Sequence, residues 1–304
     1  MSIDLVVPEE VELPTLLDEL RKLSWASADV LMAYARGEEP PYGFPKSLTV
    51  EEGGDGPVSA ADMAVNELLT SGLKDNLTFK EWDILSEETS KEKTFHQDNY
   101  RKDWCWIIDP LDGTKDFLQG SENYAVHIAL AYKRKPKIGI VLIPEKNELW
   151  FGILGIGAWF ENRDGSKNHF SFSERLDISE LVLVASKNHQ QLILQNLLST
   201  LCFAETKKIG SVGCKVASIL RGEADVYISL SGETSPKDWD MAAPQALIEA
   251  AGGVFSHADG TNLIYQKTKY SQSGCLIASH GKSHQKICQK AMEFFSLKEP
   301  KYIV

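Results

Sequence analysis

The stretch Trp106-Ile-Ile-Asp-Pro-Leu-Asp-Gly-Thr-Lys-Asp-Phe117 constrains this chain more than any other. The apolar run Trp104 to Ile108 reads as a buried strand, and Asp109 is expected to end it because the following proline holds the backbone out of helix. Asp109 and Asp112 lie three residues apart around Pro110-Leu111, so both acids and the Leu111 carbonyl can face one small volume. Two carboxylates held that close repel each other unless a cation sits between them. Gly113 lets the backbone approach closely, and Thr114 can open a helix suggested by Lys115 to Leu118, with N–H groups aimed at an anion. The five fixed residues of Asp-Pro-x-Asp-Gly-Thr should arise by chance in about one chain in ten thousand of this length, given roughly 5% usage of each type. The bland alternative is an Asp-rich surface turn after a strand.

A length of 304 residues predicts two domains or one large layered one, and a formal charge of −11 argues against a nucleic-acid polymer as partner. Cys105, Cys202, Cys214, Cys275 and Cys288 are odd in number and lack Cys-x-x-Cys spacing. Neither a disulfide framework nor a zinc knuckle is indicated, and a reducing cytoplasm is the expected compartment. The N-terminus shows no export pattern, and no apolar run approaches the eighteen or so residues that span a bilayer, so no membrane partner is expected.

Along the chain, Pro14-Thr15 should open a helix that Gly37 ends, and 38–57, with four prolines and four glycines, reads as a loop or loose hairpin extended only at Ser47 to Val50. Ser59 can cap a helix running to about Leu73. Trp82 to Leu85 reads as a strand whose end presents Glu87 and Glu88. Its position is compatible with a neighbouring strand delivering Asp109 to the same sheet edge. Ala125 to Tyr132, Lys137 to Ile143, Glu148 to Ile153 and Gly157 to Glu161 form an antiparallel meander, which Phe170 to Phe172 is expected to continue. Trp150 and Trp159 are assigned to sheet packing. From Ile178 the pattern becomes α/β: strands at Leu181 to Ala185, Lys207 to Gly210 and Asp225 to Leu230, and helices at Gln190 to Leu201, after Ser211, and after Asp240. The expected division is 1–177, an N-terminal α+β domain with an antiparallel sheet, and 178–304, a C-terminal α/β domain.

Two acids carry a double reading. Asp62 is either the third-position acid of a capping box or a functional carboxylate, and Asp240 is either a helix N-cap or a cap that also reaches a metal across a cleft between domains. His127, His169, His189 and His257 show no ligand spacing and read as ordinary residues.

The ordered set Pro57-Val-Ser-Ala-Ala-Asp62, Ser86-Glu-Glu88, Trp106 to Thr114, Trp239-Asp240 and Ala250-Ala-Gly-Gly253 resembles the motifs of the inositol monophosphatase superfamily. Within it, Gly113-Thr-Lys-Asp-Phe117 resembles the 3′(2′),5′-bisphosphate nucleotidase branch, whereas Ser211-Val-Gly213 looks more like the inositol branch. The resemblance implies a five-layer αβαβα sandwich, of the type shared with fructose-1,6-bisphosphatase. It implies a lithium-sensitive phosphatase with two or three Mg²⁺ per active site, working as a monomer or homodimer on a small phosphorylated substrate. It assigns one Mg²⁺ to Glu87, Asp109 and the Leu111 carbonyl and a second to Asp109, Asp112 and Asp240, with Glu88 acting through water. Asp62 and Thr114 would orient the nucleophilic water, the Gly113 and Thr114 amides would receive the phosphate, and Ser211, Lys215 and Arg221 are candidates for the leaving group. The expected reaction is removal of the 3′-phosphate of 3′-phosphoadenosine 5′-phosphate to give AMP. The rivals are an inositol or fructose-1,6-bisphosphatase-like sugar phosphatase and, from another class, a catalytically inactive metal-bound interaction protein.

Overall fold

A computed structural model describes residues 6–8, 11–53, 56–75, 82–92, 102–186, 192–231, 235–266 and 270–298. Helix α1 (Leu13–Arg36) carries proline in its first turn and stops at Gly37, whose left-handed backbone (φ 68°) lets its N–H bond back to the Tyr34 carbonyl. A hairpin of β1 (Val50–Gly53) and β2 (Gly56–Ser59) leads into α2 (Ala60–Asp75), so part of the expected loop is strand. Strand β3 (Asp83–Ser86) runs into α3 (Glu87–Glu92), then β4 (Trp104–Asp112) into the short α4 (Thr114–Leu118). The meander follows as β5 (Ala125–Tyr132), β6 (Lys135–Ile143), β7 (Glu148–Ile153), β8 (Gly157–Glu161) and β9 (Lys167–Asn168). The remainder is β10 (Val182–Ala185), α5 (Leu192–Leu201), β11 (Glu205–Lys208), α6 (Val212–Leu220), β12 (Val226–Leu230), α7 (Asp238–Ala250), β13 (Val254–His257), β14 (Cys275–Ser279) and α8 (His284–Lys298).

Strands β3 to β9 form one seven-stranded sheet in sequence order, and β11-β10-β12-β14-β13 form a second of five. Alternation along β4 explains the layering: Trp106 and Ile108 pack with α1 and α2, whereas Cys105 and Ile107 face a second core that holds residues of α6 and α7. The far face of the five-stranded sheet buries Leu183, Ile228 and Ile277 against Leu197 of α5 and Phe295 of α8. The result is the five-layer αβαβα sandwich. Helix α7 lies close on the large sheet because Gly139 and Gly152 have no side chain where it crosses, and Ala242, Ala243 and Ala246 complete the contact.

Three expectations need correction. Asp109 does not end its strand: β4 continues to Asp112 through a bulge, with Asp109 opposite His127 and Asp112 opposite Ala125. The bulge accommodates Pro110, which lacks the N–H that a regular ladder would require. Phe170 to Phe172 is not strand, because these rings serve packing instead, Phe170 lying 5.8 Å from Trp150 between centroids. Helix α7 begins at Asp238 with Lys237 as its N-cap, so Asp240 is the third helical residue and not the cap. Gln190, His189 and most of the polar stretch between Lys91 and Lys102 lie outside the described residues.

Candidate active site

The parallel pairing of β3 with β4 sets Ser86 opposite Ile108, so the next residue on each strand, Glu87 and Asp109, emerges at the same edge. The two carboxyls are within hydrogen-bonding reach. The bulge turns Asp112 toward the same place, and α7, lying between the sheets, brings Asp240 from the other part of the chain. Carboxylate oxygens of Asp109, Asp112 and Asp240 lie within 4.8 Å of one another. They open on a cleft of about 540 Å³ whose walls also include Glu87, Leu111, Gly113, Thr114, Ser211, Lys215 and Tyr227.

This clustering opposes ionisation. Burial, then the Glu87, Asp112 and Asp240 charges, holds Asp109 well above the usual carboxylate range. Burial and the charges of Asp112 and Glu87 push Asp240 up to about 8. Several hard oxygen donors that resist losing their protons form a set that a divalent cation relieves, so the residues present fit Mg²⁺.

Each acid is also tied to backbone or hydroxyl donors. Leu111 N–H donates to Asp109 Oδ1 at 3.1 Å, and Lys237 N–H to Asp240 Oδ2 at 2.7 Å. Asp112 Oδ2 accepts from Ser211 Oγ at 2.6 Å, Val212 N at 2.5 Å and Gly213 N at 3.3 Å. Asp62, buried in the first turn of α2, accepts Ser59 N–H at 2.7 Å and Ser59 Oγ–H at 2.5 Å on Oδ2, while Thr114 Oγ1 lies 3.0 Å from its Oδ1. Burial pushes Asp62 up to about 6, against the pull of the Ser59 bonds. Thr114 Oγ1 is also 3.1 Å from the Leu111 carbonyl. Glu88 is buried beside the half-buried Glu87.

The three leaving-group candidates separate. Lys215 is 3% exposed, faces the cleft and sits 5.2 Å over the Tyr227 ring. Burial holds it below the usual lysine pKa. Ser211 is at the cleft but bonded to Asp112. Arg221 lies at the other end of α6, paired with Glu148 at 2.7 Å and Glu223 at 2.8 Å, and is absent from the cleft walls, so the expectation that it meets the leaving group does not fit its placement.

His127 was not singled out by spacing, yet it lies fully buried beneath the acids, its Nε2 3.3 Å from Asp112 Oδ2 and its Nδ1 3.4 Å from the Trp239 carbonyl. Its place in the pattern was a clue: it is the one polar residue on the small-residue face of β5 formed by Ala125, Ala129 and Ala131.

The sequence pattern described as the inositol monophosphatase family matches residues 16–294. A 3′(2′),5′-bisphosphate nucleotidase, CysQ, from Escherichia coli K12 is 31% identical over 252 residues, covering 82% of this chain and 94% of that protein. CysQ of Buchnera aphidicola is 32% identical over 211 residues, covering 69% of this chain and 74% of its own length. The solved structure of an inositol monophosphatase from Anabaena superposes with a TM-score of 0.70 at 24% identity, covering 93% of this chain and 97% of that one. Among the described residues no helix is long and apolar enough to cross a membrane. On the match over most of its length and on these relatives, the chain belongs to the inositol monophosphatase family of phosphatases.

Proposed function

We propose that this protein is a Mg²⁺-dependent phosphomonoesterase that removes the 3′-phosphate of 3′-phosphoadenosine 5′-phosphate, giving AMP and inorganic phosphate. The observation that carries the reading is the convergence of Asp109, Asp112 and Asp240 beside the bonded pair Asp62 and Thr114. Relatives named as bisphosphate nucleotidases support the substrate, as does a buried lysine facing the cleft.

Glu87, Asp109 and the Leu111 carbonyl would hold one ion, and Asp109, Asp112 and Asp240 a second, with Asp62 able to serve a weaker third. When bound, Mg²⁺ supplies the positive charge that lets a phosphate dianion and an oxygen nucleophile approach each other. The chain's own groups do the rest. With its proton directed to Asp62, the Thr114 hydroxyl leaves the Leu111 carbonyl free and turns a lone pair toward a water in the cleft. Asp62, pushed up to about 6 by burial, is able to accept that proton. The Gly113 and Thr114 amides hold the phosphate oxygens as the water oxygen bonds to phosphorus, its proton passing by way of Thr114 to Asp62, while the bond to the ribose 3′-oxygen breaks and that oxygen takes up a proton from solvent in the cleft. Lys215 faces the second phosphate. On this reading 1–177 supplies most of the acids, and 178–304 closes the cleft with Asp240 and Lys215.

A phosphate-release panel tests it, with 3′-phosphoadenosine 5′-phosphate, inositol 1-phosphate and fructose 1,6-bisphosphate, each with MgCl₂ or with chelator. The proposal expects chelator-sensitive release, fastest from the nucleotide. Faster release from inositol 1-phosphate or fructose 1,6-bisphosphate would replace the nucleotide with a sugar ester. No release from any of them would leave a metal-bound interaction protein.

A further inference from the structure

Ser211 sits where a leaving-group contact would be expected, yet its hydroxyl is already committed on both sides. Oγ accepts the Cys214 N–H at 3.3 Å, which makes Ser211 the N-cap of α6, and it donates its single proton to Asp112 Oδ2 at 2.6 Å. A substrate phosphate needs a donor, and this one has no second proton to offer. The next two amides of the helix, Val212 and Gly213, point at the same carboxylate oxygen, at 2.5 and 3.3 Å. The positive end of α6 therefore meets a negative charge of the protein itself. The fit is tight: a Cβ on Gly213 would lie 2.4 Å from His127 Nε2, and Ser211 is only 3% exposed.

We infer that Ser211 is a positioning residue: with the first turn of α6 it grips one oxygen of Asp112, so that the other oxygen is presented to a cation. The inference rests on the proposed role of these acids as Mg²⁺ ligands. It differs from a substrate-binding role in what it predicts. Removing a partner that orients a ligating carboxylate typically weakens metal binding about 10- to 100-fold, and the two remaining amides place Ser211 at the low end.

Calorimetric titration of the substrate-free full chain with MgCl₂ tests this. Ser211→Ala should bind Mg²⁺ about tenfold more weakly, while its KM for 3′-phosphoadenosine 5′-phosphate at saturating MgCl₂ stays within about twofold of the wild type. Ser211→Thr, which keeps the hydroxyl, should restore the affinity. Gly213→Ala, which pushes the helix end off Asp112 with Ser211 intact, should reproduce the loss, and it decides the matter if Ser211→Ala does not fold. Unchanged Mg²⁺ affinity in Ser211→Ala with a raised KM would put Ser211 on the substrate and overturn the inference. A Ser211→Thr protein as weak as Ser211→Ala would also overturn it. A wild-type chain that binds no Mg²⁺ refutes the metal reading itself, a result distinct from either.

Discussion

If close packing of α7 on the large sheet is what sets Asp240, then adding one methyl group beneath the helix should disable the site. At Gly139 an alanine Cβ would lie 2.3 Å from the Ala243 carbonyl oxygen and 2.8 Å from the Ala246 Cβ. A carbon and a carbonyl oxygen settle at roughly 3.3 Å, so the helix must retreat by about 1 Å, with no flexible side-chain tip to yield in its place. Such overpacking costs about 1–3 kcal/mol. Asp240 sits one helical turn before Ala243, and the metal-binding oxygens lie within 4.8 Å of each other. A displacement of about 1 Å at a reacting centre can cost about a hundredfold in rate. Gly152→Ala is the comparison: its Cβ would meet Leu247 Cα at 2.3 Å, two turns from Asp240, so it should destabilise similarly with a smaller loss of turnover. Melting followed by circular dichroism, together with phosphate release from the folded fraction, measures both. A Gly139→Ala protein with wild-type turnover would refute the idea that this contact places Asp240.

Further outcomes follow from the site's charges. Asp109→Asn should lower turnover at least about 10³-fold, because it removes an acid shared by both proposed ions, yet raise metal-free stability by taking a buried carboxyl out of a crowd of like-charged neighbours; melting and phosphate release read the two signs. Asp62 and Asp240 are held at about 6 and about 8 from a starting value of 3.8, so the folded chain binds more protons than the unfolded one between about pH 4 and 8. Metal-free stability should therefore fall as pH rises through that window, and the gain in Tm on adding MgCl₂ should be larger at pH 8 than at pH 5, measured by scanning calorimetry. Arg221→Ala should cost about 1 kcal/mol through its lost pairs with Glu148 and Glu223 and leave KM unchanged; a KM rise beyond about threefold would return Arg221 to the substrate.

The elements that local pattern governs were legible: α1 with its glycine stop, the alternating strands β5, β7 and β8, and α4 opening at Thr114. Features set by partners were not. Whether β4 stops at Asp109 depends on β5 offering Ala125 to Asp112 across the bulge, and no local preference encodes that pairing. Phe170 and Phe172 have the composition of a strand, but their rings complete the core around Trp150. The spacing of Ser211 and Arg221 in the sequence itself argues against their meeting one ligand. They flank α6 ten residues apart, about 15 Å along a helix, too far to grip one small leaving group from the same side.

The structural roles of Asp62 and Asp240 and the functional roles proposed for them are not rivals. A carboxylate has two oxygens, and in both residues one of them reaches back from the first turn of a helix to the backbone ahead of it: Oδ2 of Asp62 takes the Ser59 N–H and Oδ2 of Asp240 takes the Lys237 N–H. The same division holds outside helix caps, where Asp109 Oδ1 accepts from Leu111 and Asp112 Oδ2 from the start of α6. An acid left to rotate would lose conformational entropy on gripping a ligand and could turn away from its like-charged neighbours. Tying one oxygen to the backbone removes both escapes and leaves the second oxygen for the site: Asp109, Asp112 and Asp240 line the cleft, and Asp62 meets Thr114. A local capping signal at an acid is therefore no argument against catalysis: a backbone bond to one oxygen helps to hold mutually repelling carboxylates in place, whether at a helix start, as for Asp240, or within a strand bulge, as for Asp109.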